Sequence, residues 1–380
     1  MIKRSDRRTA VPLLLPTLLV ALAGAACTEI TSGKPVADDA GWRTPLELNG
    51  VGGPLGIPAT DGKRLFAEVG RSITAFDVET GRILWSTPRP ADAPSNVVTR
   101  GGRVFSAGSA VIALDAESGK EMWRFTPDAT AGLGRIAADQ DAVYVGTASH
   151  KVQALRASDG RALWTSDIGP QWQHGGIVKG VSVAGDTVYA AAEQAHAANG
   201  HLASGWIVAL DRLTGAVLWK YQNGTGDDLR NFGSSPAVAG RLVVASDFKG
   251  NRVVAVDRFT GREVWRIQGE AGFIGPIGAP EARGDTVYFA SGDTYVYAVD
   301  LHVGRLHWKS RTPAANTALA LCGESLVVNY QGVAVIDPRN GQLRRRMHDS
   351  DNEFTTSGFA VAGKRAFVLG NKAAYALSCQ

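Results

Sequence analysis

The stretch DRLTGAVLWK at residues 211–220 returns in altered form as DRFTGREVWR at residues 257–266. Both copies fit the pattern D-x-x-[TS]-G-x-x-[apolar]-W. Further copies, some of them degenerate, end at Trp85, Trp123, Trp164, Trp308 and, with arginine in the tryptophan position, Arg345. Such repetition predicts a structural unit that cannot bury its own apolar face and must stack against copies of itself.

The spacing of the copies identifies the unit. Counted from the related strand GWRTPLEL, which contains Trp42, they recur on average every ~43 residues, the period of a four-stranded propeller blade. Residues 64–88 contain the runs RLFAEV, SITAFDV and ILWSTP, in which apolar and polar residues tend to alternate, as they do along a β-strand. Glycine-containing turns separate these runs. The sequence therefore predicts an all-β protein built from antiparallel meanders.

Each fixed residue of the motif has a structural role. Its aspartate accepts backbone N–H groups in a tight turn, and its glycine supplies the positive φ that the turn requires. The tryptophan then lies on the outermost strand of a blade and packs against the next blade. We interpret seven tryptophans as structural in this sense: Trp42, Trp85, Trp123, Trp164, Trp219, Trp265 and Trp308.

The two ends of the repeat region complete each other. Residues 357–379, SGFAVAGKRAFVLGNKAAYALSC, supply three strands of a blade, and GWRTPLEL at residues 41–48 is a fourth strand with nothing before it. Pairing them closes the ring and removes exposed sheet edges. We expect a single eight-bladed β-propeller of four-stranded antiparallel blades over residues 41–380, with the last blade closed by the N-terminal strand.

The N-terminus is predicted to direct export. Residues 1–26 combine the basic start MIKRSDRR with an apolar run too short and too rich in proline for a convincing membrane span. Small residues precede Cys27, as in a lipoprotein signal, so we expect acylated Cys27, a linker over residues 27–40 and an outer-membrane lipoprotein facing the periplasm. Ordinary cleavage near Ala25, giving a soluble periplasmic protein, is the alternative.

The charge of the chain argues against nucleic acid as a partner, and its cysteines allow one disulfide. The formal net charge of +4 for the whole chain falls to about +1 once residues 1–26 are removed, which leaves no basic field for nucleic acid. Cys322 and Cys379 remain after Cys27, in an oxidising compartment. They are candidates for a disulfide between blades 7 and 8, although the strands that carry them leave the pairing open.

The repeats, of which YAVDLHVGRLHW is one, resemble the quinoprotein-type eight-bladed propellers and the lipoprotein propeller subunit of the outer-membrane β-barrel assembly machinery. The quinoprotein enzymes typically hold a quinone and Ca²⁺ on the propeller axis, and many carry adjacent cysteines. This chain has no adjacent cysteines and lacks the long insertions that hold those sites. We therefore expect no catalytic residue, no cofactor and no metal, and regard a PQQ-dependent dehydrogenase as the less favoured alternative.

The loops that lead from one blade into the next carry unusual residues for turns. Aromatic, acidic and arginine side chains there suit a contact with a partner, although each of them also suits packing over the channel. The candidate partner-binding residues are Trp172, His174, Asp227, Asp228, Leu229, Arg230, Phe232, Phe273, Glu353 and Phe354. An H-x4-H pair, His196 and His201, lies in the longest insertion without a third metal ligand nearby.

The second resemblance implies a particular partner. In the barrel-assembly lipoprotein, acidic residues of one such loop hold the periplasmic domains of the barrel insertase. Alignment on Ser234–Pro236 places those acids at Asn231 and Gly233, so the contacts do not carry over directly. We expect a non-catalytic, monomeric, lipid-anchored scaffold of outer-membrane protein assembly. The alternative is a generic exported repeat protein that binds another protein or a saccharide, with Trp172 or Phe273 stacking on sugar rings.

Overall fold

The computed structural model describes residues 27–29, 40–46, 56–89, 96–127, 134–172, 176–195, 203–223, 232, 234–246, 252–268, 279–291, 293–312, 318–329, 332–347, 358–370 and 372–380. Within these ranges every regular element is a β strand. The strands form eight sheets, each built on four antiparallel strands in meander order, and one of these sheets carries a fifth, parallel strand at its edge. The all-β, eight-bladed prediction is therefore confirmed.

Blades 1 to 4 follow one another along the chain, innermost strand first. Blade 1 comprises β3 (Ala59–Thr60), β4 (Arg64–Val69), β5 (Ser72–Asp77) and β6 (Ile83–Pro88). Blade 2 comprises β7 (Val97–Arg100), β8 (Arg103–Ala107), β9 (Val111–Asp115) and β10 (Glu121–Phe125). Blade 3 comprises β11 (Ala137–Ala138), β12 (Ala142–Gly146), β13 (Lys151–Arg156) and β14 (Ala162–Asp167). Blade 4 comprises β15 (Gly176–Ala184), β16 (Thr187–Ala195), β17 (Ala203–Asp211) and β18 (Val217–Asn223).

Blades 5 to 8 repeat the same order. Blade 5 comprises β19 (Ala237–Ala239), β20 (Leu242–Ser246), β21 (Arg252–Asp257) and β22 (Glu263–Gln268). Blade 6 comprises β23 (Glu281–Arg283), β24 (Thr286–Ala290), β25 (Tyr295–Asp300) and β26 (Leu306–Arg311). Blade 7 comprises β27 (Leu319–Cys322), β28 (Ser325–Asn329), β29 (Val333–Ile336) and β30 (Leu343–Met347). Blade 8 comprises β31 (Ala360–Ala362), β32 (Arg365–Leu369), β33 (Ala373–Ser378) and the N-terminal β2 (Ala40–Pro45).

The ring closes as predicted. Strand β2 pairs antiparallel with β33, with Trp42 opposite Ala376 and Arg43 opposite Tyr375. The apolar core is divided among eight clusters, each built from two neighbouring blades, including one between blades 8 and 1. The core is thus a closed series of blade interfaces, which is why the repeat had to recur around the whole ring.

Each of the seven repeat tryptophans makes the same type of contact with a glycine of the next blade. The indole of Trp219 lies over Gly261 of the next blade, where a Cβ would come within 2.6 Å of the ring. Its N–H donates to the carbonyl of Arg258 at 3.0 Å. The ring-on-glycine pairs are Trp42–Gly81, Trp85–Gly119, Trp123–Gly160, Trp164–Gly215, Trp219–Gly261, Trp265–Gly304 and Trp308–Gly341. Each glycine has a positive φ, so both its backbone conformation and its missing side chain are needed.

The eighth interface, between blades 7 and 8, is built differently. Arg345 occupies the tryptophan position and its guanidinium donates to the carbonyl of Ser378. A disulfide joins Cys322, at the end of β27, to Cys379, directly after β33, with Cα atoms 5.8 Å apart. The hydroxyl of Ser325 also donates to the carbonyl of Cys379 at 2.6 Å. A covalent bond therefore stands at the interface that lacks the indole; we call this disulfide the clasp.

One strand lies outside the predicted scheme. Strand β1 (Cys27–Glu29) runs parallel to β26 at the outer edge of blade 6, with Cys27 opposite Lys309 and Glu29 opposite Arg311. The sequence analysis assigned residues 27–40 to a linker. An outermost strand has unpaired backbone groups that accept any extended segment within reach, and three residues are too few to show a strand pattern in the sequence.

Candidate functional site

Blade 4 is taller than its neighbours. Strands β15, β16 and β17 have nine residues each, whereas β20 and β21 of blade 5 have five and six. Strands β17 and β21 end at equivalent motif aspartates, Asp211 and Asp257, so the extra length lies at the opposite face. That face carries the connections between blades.

The extra strand residues determine how far blade 4 extends beyond its neighbours. Three to four added residues raise blade 4 by about 10 Å at the usual rise per strand residue. We call residues 176–180, 191–195, 203–207 and 220–223 the raised edge of blade 4. Part of this region lies in the longest insertion between repeat copies, residues 192–206, and the long runs GIVKGVSVA and TVYAAAEQA already indicate longer strands.

Trp172 supports the raised edge from within. It is 5% exposed, and its ring packs 6.1 Å from that of Trp206 and edge-on to that of His150 at 5.8 Å. Trp206 is only partly buried and donates its indole N–H to Gln194 at 3.1 Å. The prediction that Trp172 offers a contact surface is therefore corrected, because its side chain fills the space beneath blade 4.

Phe232 requires the same correction. It is 1% exposed and packs between blades 4 and 5 in the cluster that contains Tyr189, Ile207 and Val243. Asn223, the last residue of β18, is also fully buried. Asn223 and Phe232, the described residues nearest to positions 224–231, are therefore both buried.

The other candidate residues lie outside the part of the chain that the structure describes. They are His174, Asp227, Asp228, Leu229, Arg230, Phe273, Glu353 and Phe354, together with the His196 and His201 pair. Within the described ranges, no group of three His, Cys, Asp or Glu side chains is placed to hold a metal ion. In those same ranges, no helix has the length and apolarity needed to cross a membrane.

The raised edge presents a mixed surface that the sequence analysis missed. Ile177 is 40% exposed on the innermost strand. The neighbouring Lys179 forms an ion pair with Glu193 at 2.9 Å. On β18, Lys220 donates to the carbonyl of Ile168 at 2.6 Å, and burial lowers its pKa. An exposed aliphatic residue with charged neighbours is compatible with a contact surface that has an apolar centre and a polar rim.

Two partly buried charged groups lie on the inner side of the ring. Glu281 lies on the innermost strand of blade 6, and burial raises its pKa to about 7. Arg135 precedes the innermost strand of blade 3, bridges to Gly180 through its backbone, and has its pKa lowered by burial. Both groups lie on or next to innermost strands, so they contribute to the charge of the inner wall of the ring.

The fold and repeat define an eight-bladed β-propeller of the PQQ-like class. A family model described as "Outer membrane protein assembly factor BamB" matches residues 29–202 and 203–367. The match extends over most of the chain, and the protein belongs to this family.

Several curated proteins are similar in sequence. The serine/threonine-protein kinase AfsK of Streptomyces coelicolor is 31% identical over 292 residues, which are 74% of this chain and 33% of the kinase. The outer membrane protein assembly factor BamB of Yersinia pestis is 26% identical over 214 residues, 51% of this chain and 52% of that protein. The quinohemoprotein alcohol dehydrogenase ADH IIB of Pseudomonas putida is 33% identical over 135 residues, 31% of this chain and 18% of the enzyme. The chain thus spans about half or less of each relative's length.

Solved structures agree with the architecture. BamB from Moraxella catarrhalis superposes with a TM-score of 0.66 at 17% identity, over 88% of this chain and 98% of that one. Quinohemoprotein alcohol dehydrogenase from Comamonas testosteroni gives a TM-score of 0.71 at 14% identity, over 90% of this chain and 76% of that one. At these identities the likeness shows the fold alone, because binding proteins and enzymes share it.

Proposed function

We propose that the protein is a non-catalytic scaffold of outer-membrane protein assembly, anchored to the membrane by lipid at Cys27 and facing the periplasm. The raised edge of blade 4, with the connection that follows it, is the surface that binds a protein partner. The observation that carries this proposal is the height of blade 4. An extended, partly apolar edge on an otherwise regular ring has no role in closing the ring.

Family membership supports a partner of the assembly machinery. The BamB family model spans both halves of the chain, and the BamB of Yersinia pestis is named an assembly factor. The connection after β18 contains the predicted contact residues Asp227–Arg230, and it begins on the blade that carries the raised edge. Contacts from the edge and the connection together reach the mix of apolar area and charged hydrogen bonds that protein interfaces use.

A lipid anchor adds to such a contact. Holding a rigid ring at the membrane raises the effective concentration of the scaffold near any membrane-embedded partner, so a weak interface suffices. Residues 1–26 act as the export signal in this proposal. Labelling of the protein with a palmitate analogue, abolished by Cys27→Ser, tests the anchor; an unlabelled protein cleaved near Ala25 contradicts it.

The partner is tested by pull-down of tagged protein from detergent-solubilised membranes. We expect to recover the β-barrel insertase, and to lose it in the double variant Ile177→Asp, Lys179→Ala. Leu218→Ser is the matched control, because Leu218 is 54% exposed on the outer strand of the same blade, away from the raised edge. Recovery of the insertase by both variants excludes the raised edge, and its absence with the unaltered protein excludes the assembly role.

The two alternatives to this proposal are quinone-dependent dehydrogenase activity and saccharide binding. Addition of pyrroloquinoline quinone and Ca²⁺ is expected to give neither a shifted absorbance nor dye reduction with alcohols or sugars; either result moves the protein to the dehydrogenases. The saccharide alternative relied on Trp172 or Phe273 as the stacking surface. Because Trp172 is buried, it cannot serve in this way, and no described residue favours a sugar over a protein.

A further inference from the structure

Three repeat turns have apolar side chains that face solvent. The repeat turn lies between the third and fourth strands of a blade and ends at the repeat glycine; it reads D-x-x-T-G in blades 4 and 5 and D-x-x-V-G in blade 6. Leu213 in blade 4, Phe259 in blade 5 and Val303 in blade 6 are 71%, 66% and 66% exposed, more than any other large apolar side chain in the described chain. Turns of the other blades carry polar residues at these positions, as in Glu79–Thr80 and Glu117–Ser118.

The fold does not require these side chains. Each turn is held by backbone N–H groups that donate to the motif aspartate: Leu213 to Asp211 at 3.1 Å and Phe259 to Asp257 at 3.1 Å. Any residue supplies such a backbone group, and a polar residue at the tip avoids exposing apolar area. Three consecutive blades expose apolar tips at the same face of the ring, which makes this face a candidate contact surface.

The charges around the middle tip suit a lipid surface. The guanidinium groups of Arg241 and Arg258 lie 5.4 and 5.3 Å from the centre of the Phe259 ring. The side chain of Arg241 is 68% exposed, even though it pairs with Asp257. The Arg258 guanidinium already donates to the Tyr189 hydroxyl and to backbone carbonyls, so the exposed Arg241 is the cation that can reach a lipid phosphate. An aromatic tip beside such a cation suits the headgroup region, with the ring among acyl chains and the cation at a phosphate.

The N-terminal strand leads to the same part of the ring. Strand β1 lies on the outer edge of blade 6, where Cys27 pairs with Lys309. Strand β26 starts at Leu306, close behind the turn that contains Val303, and Lys309 lies about 10 Å along it. The residue proposed to carry the lipid thus lies on the same blade as one of the three apolar turns, and the other two turns are in the two preceding blades.

We infer that the repeat turns of blades 4 to 6, with Leu213, Phe259 and Val303 at their tips, form a membrane-contact surface that enters the headgroup layer of the bilayer. This orientation deepens the proposed function, on whose lipid anchor it partly rests. The raised edge of blade 4 lies at the opposite end of its strands, so this contact points the partner-binding surface away from the membrane.

The contact is tested without the lipid anchor. Purified protein with Cys27→Ser is sedimented with vesicles of phosphatidylethanolamine and phosphatidylglycerol. We expect the added triple change Leu213→Ser, Phe259→Ser, Val303→Ser to lower the vesicle partition coefficient by about tenfold or more, because apolar area leaves the interface. The matched control is a serine triple at exposed apolar positions on the outer strands of blades 1 to 3: Leu84, Met122 and Leu163.

A local probe gives a second, independent readout. An environment-sensitive dye on Phe259→Cys is expected to shift its emission to the blue with vesicles, and the same dye on Met122→Cys is expected to stay unshifted. The inference is overturned if the Cys27→Ser protein does not bind vesicles, if both triples lower binding equally, or if neither dye or both dyes shift. It is also overturned if the turn triple keeps vesicle binding but loses the pulled-down partner, since the turns then form a protein interface. Failure of the raised-edge variants to affect the pull-down bears only on the proposed function.

Discussion

Removal of the clasp tests how the propeller is held at its one interface without an indole. In Cys322→Ser, Cys379→Ser, the bond that closes a segment with a sequence separation of 57 residues is lost. Chain entropy alone assigns such a cross-link about 4 kcal/mol. With an unfolding entropy proportional to chain length, that loss lowers the melting temperature of a propeller of this size by about 5 °C.

The assay is thermal and urea unfolding with and without reductant. Reductant is expected to shift the unaltered protein towards the double variant and to leave the double variant unchanged. A second variant, Arg345→Trp in the clasp-free background, is expected not to restore stability, because the facing blade 8 has no repeat-turn glycine to receive the indole. Unfolding curves that coincide for the variant and the unaltered protein refute the idea that the clasp replaces the missing tryptophan contact.

Three further changes test separate parts of the fold. Gly261→Ala places a methyl group 2.6 Å from the ring of Trp219 and is expected to cost more than ~2 kcal/mol by urea unfolding, whereas Gly240→Ala, with a similar φ and open space around it, is expected to cost about 1 kcal/mol. A chain that starts at Pro45 lacks nearly all of β2 and should melt well below the intact protein; unchanged melting contradicts closure of the ring by this strand. Burial raises the pKa of Glu281 from 4.5 to about 7, so the folded chain keeps a proton that the unfolded chain releases, and stability falls as pH rises through that window. Glu281→Gln should reduce this fall between pH values of about 5 and 8, and an identical pH dependence would show that Glu281 ionises freely.

Much of the ring was predictable because the repeat turn is a local structure. The aspartate and glycine of DRFTGREVW act within five residues, so the motif identifies a turn wherever it occurs, and the indole contact follows at fixed distance. The degenerate copy with Arg345 also marked the eighth interface as different. The geometry that joins Cys322 to Cys379 was left open, since it depends on where two neighbouring blades place their strand ends.

The face of the ring that carries the connections between blades was harder to predict than the repeat turns. Connections between blades differ in length, and nothing local distinguishes an aromatic that covers a gap from one that faces solvent. Trp172 and Phe232 looked like rim residues, yet both are buried, because each fills space beside blade 4. The height of that blade was hidden by the insertion at residues 192–206, where a strand extension and a loop have similar composition. Strand β1 was missed because its pairing comes from an available edge, which the sequence of residues 27–29 does not encode.

The pairing of β2 with β33 also governs how the chain reaches its final form. Arg43 and Tyr375 face each other across these strands but are 332 residues apart in the chain. The strand β2, which is synthesised before every other strand of the eight blades, therefore finds its partner only after β33 has been made. Until then strand β2 has unpaired backbone N–H and C=O groups, and the indole of Trp42 is not packed. Both features favour association with other chains. Closure of so distant a contact is slow, so the open ring is exposed to association with other chains for longer than a ring closed by neighbouring segments.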